Sequence, residues 1–228
     1  AGGALTYNGG VAVGPLLEEK CGCRVVLEND GKAAAAAEFY KGSLQGCQNA
    51  AVCVLGTAVG GGLIIDGKVV RGKDCTAGEF SFMITDASDF HSPDAYVAMN
   101  CSTSGLLNMY RSYTHTDEKI DGREFFRRLP DDPFAQRTLD EFASNLAKLF
   151  FNLYFLLDVE KIAVGGGISR QVILTEKIRE KFQEVRSECP FSSFITRCSL
   201  EIVTCAFHND ANLIGAYMTY QQMMAQEH

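Results

Sequence analysis

The sequence predicts an α/β fold, on three observations. A β-branched run at residues 24–28 (RVVLE) meets Asn29-Asp30-Gly31 and then the alanine-rich stretch KAAAAAEFY, giving a strand, a sharp turn and a strong helix former in order. Residues 50–71 hold apolar runs on either side of Asp66-Gly67, a dipeptide that favours tight hairpins. In the second half, apolar runs of strand length alternate with stretches of helical period.

Taken in order, the strand at 24–28 leads into a helix over 32–40, and the turn-like KGSLQGCQN leads into a second strand at 50–55. A glycine-rich loop, Gly56-Thr57-Ala58-Val59-Gly60-Gly61-Gly62, joins it to a third strand at 63–65, and Asp66-Gly67 turns the chain into 68–71. Residues 84–98 lack a sustained period and read as a loop, and 104–113 read as a short helix. The polar segment 114–133 carries Pro130 and Pro133 and precedes a long helix over 134–157, with apolar residues at 139, 142, 143, 146, 149, 150, 153, 154 and 157. A strand at 161–164 stops at Gly165-Gly166-Gly167. A helix from 168 to about 185, a strand at 200–205 and a helix over 209–224 complete the chain. There is neither a repeat of fixed period nor a low-complexity linker.

With 228 residues, 46% apolar and 21% charged, the chain is long enough for one large domain or one and a half smaller ones. The 21 Lys and Arg against 28 Asp and Glu give a net charge of −7, and no basic run concentrates the positive charge. Nucleic acid and anionic membranes are therefore poor partners. The most apolar stretch, 149–157, lies between Lys148 and Asp158 and falls far short of the roughly 20 residues that span a bilayer. The chain opens at Ala1 with AGGALTYNGG, which has none of the features of a secretory signal. Nine cysteines cannot all pair, and Cys53 and Cys205 sit in apolar, strand-like runs as reduced packing residues, so the expected compartment is a reducing cytoplasm.

Three features can carry chemistry. Asp30, between a strand and a helix, is either an N-cap or a carboxylate held where α/β folds bind ligands, able to take a proton from a hydroxyl fixed by Asn29. The loop Gly56 to Gly62 is either a wide hairpin turn or a phosphate cradle in which backbone N–H groups and the Thr57 hydroxyl meet oxygens. It is neither a Walker A loop nor a dinucleotide fingerprint, because no Lys-Ser or Lys-Thr follows and the next element is a strand. Gly165 to Gly167 form either a tight turn or a second site of close ligand approach. Cys21-Gly22-Cys23 is too cramped for half a structural zinc site, the histidines at 91, 115, 208 and 228 lack ligand spacing, and no G-x-S-x-G elbow occurs.

The ordered set END-GKAAAAAE, LGTAVGGGLIIDGKVVRG, AGEF and IAVGGGIS resembles the ROK family of sugar kinases, from Gly2 to Tyr217. The resemblance implies an actin-like ATPase (ribonuclease H-like) two-lobed fold that closes on a sugar and transfers the γ-phosphoryl of ATP, with Mg²⁺, to a hydroxyl. By that resemblance Asp30 is the catalytic base, and Asn29 and Glu79 bind sugar hydroxyls. Gly56, Thr57, Gly60 and Gly61 form a phosphate loop, and Gly165, Gly166 and Gly167 lie on the adenosine side. The family's D-x-G-G-T motif is not found in the 228 residues, so the resemblance implies a small lobe that is incomplete in this chain. Its remainder would be residues 1–44, the large lobe 45–210, and 211–228 a helix returning to the small lobe.

Two departures refine the expectation. Where many members read G-E-I-G-H, this chain reads Gly78-Glu79-Phe80-Ser81-Phe82, and the family's zinc segment appears as Asn100 to Asn108 without its cysteine ligands. The pattern resembles the zinc-free, β-glucoside kinase-like branch, which implies no structural zinc and the 6-hydroxyl of a β-glucoside or hexose as acceptor. Phe82 is expected either to stack on a sugar face or to pack in the core. The resemblance also implies a homodimer whose partners are small molecules only. The other class that the family allows is a non-catalytic sugar-binding or regulatory protein, for which no helix-turn-helix or basic patch is present.

Overall fold

In the computed structural model, which describes residues 10–195 and 197–225, β1 (Ala50–Leu55), β2 (Val59–Ile65), β3 (Lys68–Val70), β4 (Lys161–Gly165) and β5 (Glu201–Thr204) form one sheet in the order β3-β2-β1-β4-β5. The residues from Ala1 to Gly9 lie outside the described part, including Gly2, where the family resemblance starts. β1 runs antiparallel to β2, from Ala50↔Ile64 to Leu55↔Val59, and parallel to β4, from Ala50↔Lys161 to Val54↔Gly165. β4 and β5 are also parallel. The expected hairpin forms between β2 and β3: Asp66 and Gly67 both have positive φ, 51° and 68°, as a two-residue turn matched to strand twist requires.

The central strands are covered on both faces, which explains why β1 and β4 read as unbroken apolar runs rather than alternating ones. Ala51, Cys53 and Leu55 of β1 and Ile162 and Val164 of β4 face one core, and Ala50, Val52 and Ala163 face the other. The first core is closed by α4 (Thr103–Thr114), α5 (Gly122–Arg128), α6 (Pro133–Leu157) and α7 (Val172–Glu188), through Leu106, Phe125, Phe142, Phe150 and Phe182. α6 follows its predicted period, with Pro133 in the first turn and the Asp132 carboxylate accepting from the Phe134 and Ala135 N–H groups.

The second core lies under α2 (Asp30–Lys41) and α8 (Ala211–Ala225). Every residue of α2 from Gly31 to Glu38 is buried, so small side chains are needed on all sides. Alanine meets that need at no cost in helix propensity. Gly215 of α8 abuts the Ala33 carbonyl, and a side chain there would overlap it. Glu38, fully buried, anchors the far end of α2. Its Oε2 accepts from the Ser43 N–H and hydroxyl (both 2.9 Å) and the Ala206 N–H (3.0 Å), and its Oε1 accepts from the Phe207 N–H (3.0 Å). Both α2 and α8, which the resemblance places in the small lobe, therefore rest on the sheet.

Several expectations are corrected. Residues 24–28 are not a strand: the Val25 N–H donates to Glu18 and the Glu28 carboxylate binds Arg71, and no sheet edge pairs with them among the described residues. Two helices are absent from the sequence reading: α1 (Val13–Cys21), and α5 inside the polar segment 114–133, where the Asp121 carboxylate accepts from the Glu124 N–H. A short helix, α3 (Val97–Asn100), follows the loop after residue 84. The helix expected from residue 168 starts as a 3-10 turn at Gly167–Arg170 and becomes α-helical only at Val172.

Burial pushes the Cys53 thiol far above its ordinary pKa and that of Cys101 up to about 12, and burial aided by the Glu38 carboxylate raises Cys205, whereas Cys21, Cys23 and Cys75 are exposed. Alkylation of the native protein at pH 8 followed by peptide mapping should label the exposed three and spare the buried Cys47, Cys53, Cys101 and Cys205. Glu38→Ala removes an acceptor from four donors and should lower unfolding free energy by about 3 kcal/mol or more, read from denaturant melts.

Candidate functional site

Asn29 rather than Asp30 is the N-cap of α2. Its backbone is extended (φ −70°, ψ 144°) and its Oδ1 accepts from the Lys32 N–H at 3.1 Å. That frees Asp30 from the capping role. Asp30 occupies the first helical position, exposed to solvent, with Oδ1 accepting from the Gly31 N–H at 2.8 Å. Its charge sits at the positive end of the helix dipole, the favourable end for an anion.

The start of α2 is set by close backbone packing on β2. A methyl group at Gly31 would overlap the Gly61 carbonyl, and one at Gly62 would lie 2.5 Å from the Ala35 Cβ and 2.8 Å from the Gly31 carbonyl. Gly78, at φ +81°, fits against Gly61 and Gly62 on the other side, and only glycine combines that φ with that proximity. The next residue, Glu79, is thereby delivered to the head of α2: Asn29 Nδ2 donates to its Oε1 at 3.2 Å, and Lys32 Nζ lies 3.8 Å from the same oxygen. Phe80 is buried against Gly61. Ser81 Oγ accepts from the Val59 N–H (2.8 Å) and donates to the Val59 carbonyl (3.0 Å). Phe82 is 76% exposed, so the core-packing alternative for it is excluded.

A cavity of about 880 Å³ opens at the end of β1. Gly56, Thr57, Thr103, Ser104, Arg123 and Gly167 are among the residues lining it, as is Leu55. Its two walls are tied together, because Thr103 donates from N–H to the Gly56 carbonyl (2.9 Å) and from Oγ1 to the Leu55 carbonyl (3.0 Å). The cavity lies close to the head of α2. Gly61, which Gly31 touches, is the ladder partner of Cys53, two residues from Leu55 at the cavity wall, or about 7 Å along a strand.

The two glycine clusters thus divide between roles. The loop is shorter than the sequence suggests, because β2 begins at Val59 and takes in Gly60, Gly61 and Gly62. Of these, Gly61 and Gly62 pack against Gly31, Ala35 and Phe80, and none of the three lines the cavity, which Gly56 and Thr57 do. In the second cluster Gly165 ends β4 beside Cys205 and Gly166, at φ +94°, packs against Leu55, whereas Gly167 faces the cavity with open space where a Cβ would point. Sequence reasoning missed Thr103, Ser104, Arg123 and Lys32. For Thr103 and Ser104 the available signal was Ser102, an N-cap residue just before the expected helix at 104–113, and for Arg123 it was Asp121-Gly122, a helix start inside the polar segment. For Lys32 it was one charged residue heading a stretch of alanine.

The sequence model of the ROK family matches residues 10–223. The chain belongs to the ROK family. It is 30% identical over 227 residues to a β-glucoside kinase of Listeria innocua, covering 97% of this chain and 73% of the relative. Among solved structures, a ROK family protein from Streptococcus pneumoniae in complex with sucrose superposes with a TM-score of 0.83 at 26% identity, covering 95% of this chain and 72% of the other. A ROK family glucokinase from Streptomyces griseus, in complex with glucose and AMPPNP, shares the fold with a TM-score of 0.80 at 24% identity, over 92% of this chain and 72% of its own. The fold is accordingly the actin-like ATPase fold of ROK proteins, as the four motifs implied.

If the glycine seam sets the site, Gly31→Ala should push α2 off β2. The expected outcome is a stability loss of about 1–3 kcal/mol in denaturant melts, together with weakened sugar binding measured by calorimetry.

Proposed function

We propose that this ROK protein is a carbohydrate kinase that transfers the γ-phosphoryl of ATP to a sugar hydroxyl. The observation that carries the reading is the placement of an exposed Asp30 at the head of a buried helix, beside Asn29 and Glu79, with its neighbour Gly31 packed on the strand pair that leads to the cavity at the end of β1. The kinase names among the relatives support it: the matches include β-glucoside kinases, a glucokinase and N-acetyl-D-glucosamine kinases.

The sugar lies against Asn29 and Glu79, whose amide and carboxylate exchange hydrogen bonds with its hydroxyls. The Asp30 carboxylate accepts the proton of the attacking hydroxyl as the oxygen reaches the γ-phosphorus. Phosphoryl transfer depends mainly on positioning and electrostatics, and the fixed backbone beneath Asp30 supplies the positioning. ATP occupies the cavity, where the donors fit a polyphosphate: Thr57 and Ser104 offer hydroxyls, Arg123 and Arg170 offer guanidinium groups, and Gly56 and Gly167 leave backbone accessible. Among the described residues no group of three or more His, Cys, Asp or Glu could hold a metal ion. A Mg²⁺ ion would therefore be held chiefly by the phosphates and its own waters, neutralising their charge.

The acceptor follows from the branch. Similarity to β-glucoside kinases, an amide and a carboxylate as hydroxyl binders and an exposed Phe82 three residues beyond Glu79 favour the 6-hydroxyl of a β-glucoside or hexose, with the Phe82 ring available to a second sugar unit. No helix among the described residues is long and apolar enough to cross a membrane.

Asp30→Asn should lower kcat by about 10²–10⁴-fold for glucose or cellobiose with Mg-ATP, with the melting temperature and calorimetric sugar affinity near wild type. A coupled assay that finds wild-type turnover in this variant overturns the role of Asp30.

A further inference from the structure

Lys32 is fully buried, and its Nζ has no hydrogen-bond partner among the described residues. An ammonium group withdrawn from water without such a partner is strongly unfavourable, and a methionine or leucine would fill the same space without that penalty. The backbone at Lys32 lies close on β2, where Gly62 has no side chain: a Cβ at Gly62 would sit 3.3 Å from the Lys32 Cα. The stem ends at the site, with Nζ 3.8 Å from Glu79 Oε1.

The two carboxylate oxygens of Glu79 are in different situations. Oε1 faces inward to both Asn29 Nδ2 and Lys32 Nζ, which leave from the same first turn of α2. Oε2 has no hydrogen bond among the described residues, while the side chain is 30% exposed. An inward oxygen held by an amide and an ammonium turns the other oxygen outward as a lone acceptor. That outward oxygen is left for a ligand to meet.

We infer that Lys32 is a positioning residue for sugar recognition, holding Glu79 as an oriented carboxylate whose Oε2 accepts from a hydroxyl of the neutral sugar. The inference rests on the reading of Glu79 as a sugar binder. Lys32 touches neither sugar nor nucleotide. It acts through Glu79, trading fold stability for a prepared acceptor.

The test is steady-state kinetics on the full-length protein with glucose and with cellobiose, for Lys32→Met, Glu79→Gln and the double variant, alongside thermal melts. Lys32→Met should raise sugar KM about tenfold, leave ATP KM unchanged and leave the melting temperature equal or higher. In the Glu79→Gln background the same change should add less than about twofold, because the residue it acts through is gone. If Glu79→Gln raises sugar KM and Lys32→Met does not, the inference fails while the site stands. If Glu79→Gln itself leaves sugar KM unchanged, the reading of the site fails and takes the inference with it. A Lys32→Met variant that melts lower and raises both KM values alike assigns Lys32 a merely structural role and also overturns the inference. Should Lys32→Met fail to fold, Lys32→Gln is held to the same outcomes.

Discussion

The contact on which the site depends is backbone against backbone, where the first turn of α2 meets β2. Gly31, Gly61, Gly62 and Gly78 meet there with no room for a Cβ between them. Glycine inside a strand or helix costs about 0.5–1 kcal/mol in backbone entropy at each position, so three of them in the seven-residue β2 would be a poor choice for a strand alone. What they secure is distance. A helix resting on side chains could settle at several heights, but one resting on a strand's own peptide groups has a single height. Asn29, Asp30 and Glu79 inherit that fixed level.

The rest of α2 follows from the same closeness. A helix pressed on a sheet below and on α8 above has no solvent face, which accounts for the five consecutive alanines and for Gly215 opposite Ala33. Polar groups on such a helix must be satisfied inside the protein. Glu38 meets that requirement fully, with four donors from two other segments. Lys32 does not, and it stands at the end of the helix that carries Asn29 and Asp30.

Most of the architecture was legible because its signals are local. The Asp66-Gly67 hairpin, the 3.6-residue period of α6 and the unbroken apolar runs of β1 and β4 each depend on neighbours in sequence. The failures came where neighbours in space decide. Residues 24–28 have a strand's composition, but the Val25 N–H goes to the Glu18 side chain and no strand lies alongside them among the described residues. The glycines at 60–62 looked like a loop because composition cannot distinguish a residue that must bend from one that must be approached closely. For the site, the motifs picked out Asn29, Asp30, Glu79, Gly56 and Thr57. They could not show that Asn29 takes the capping role from Asp30, nor that Thr103 and Arg123, far along the chain, form the cavity's other wall.

The anchoring of α2 by Glu38 also sets a timetable. The carboxylate belongs to the first fifth of the chain, but two of its donors, the Ala206 and Phe207 N–H groups, lie 168 and 169 residues later. At a synthesis rate of about 5–20 residues per second, the helix emerges from the ribosome roughly ten to thirty seconds before its anchor does. Through that interval the buried carboxylate has only Ser43 to bind, and the surface meant for α8 is bare. The helix α2 is therefore among the last parts of the molecule to be locked. A nascent chain holds every residue named in the site well before it holds a finished one.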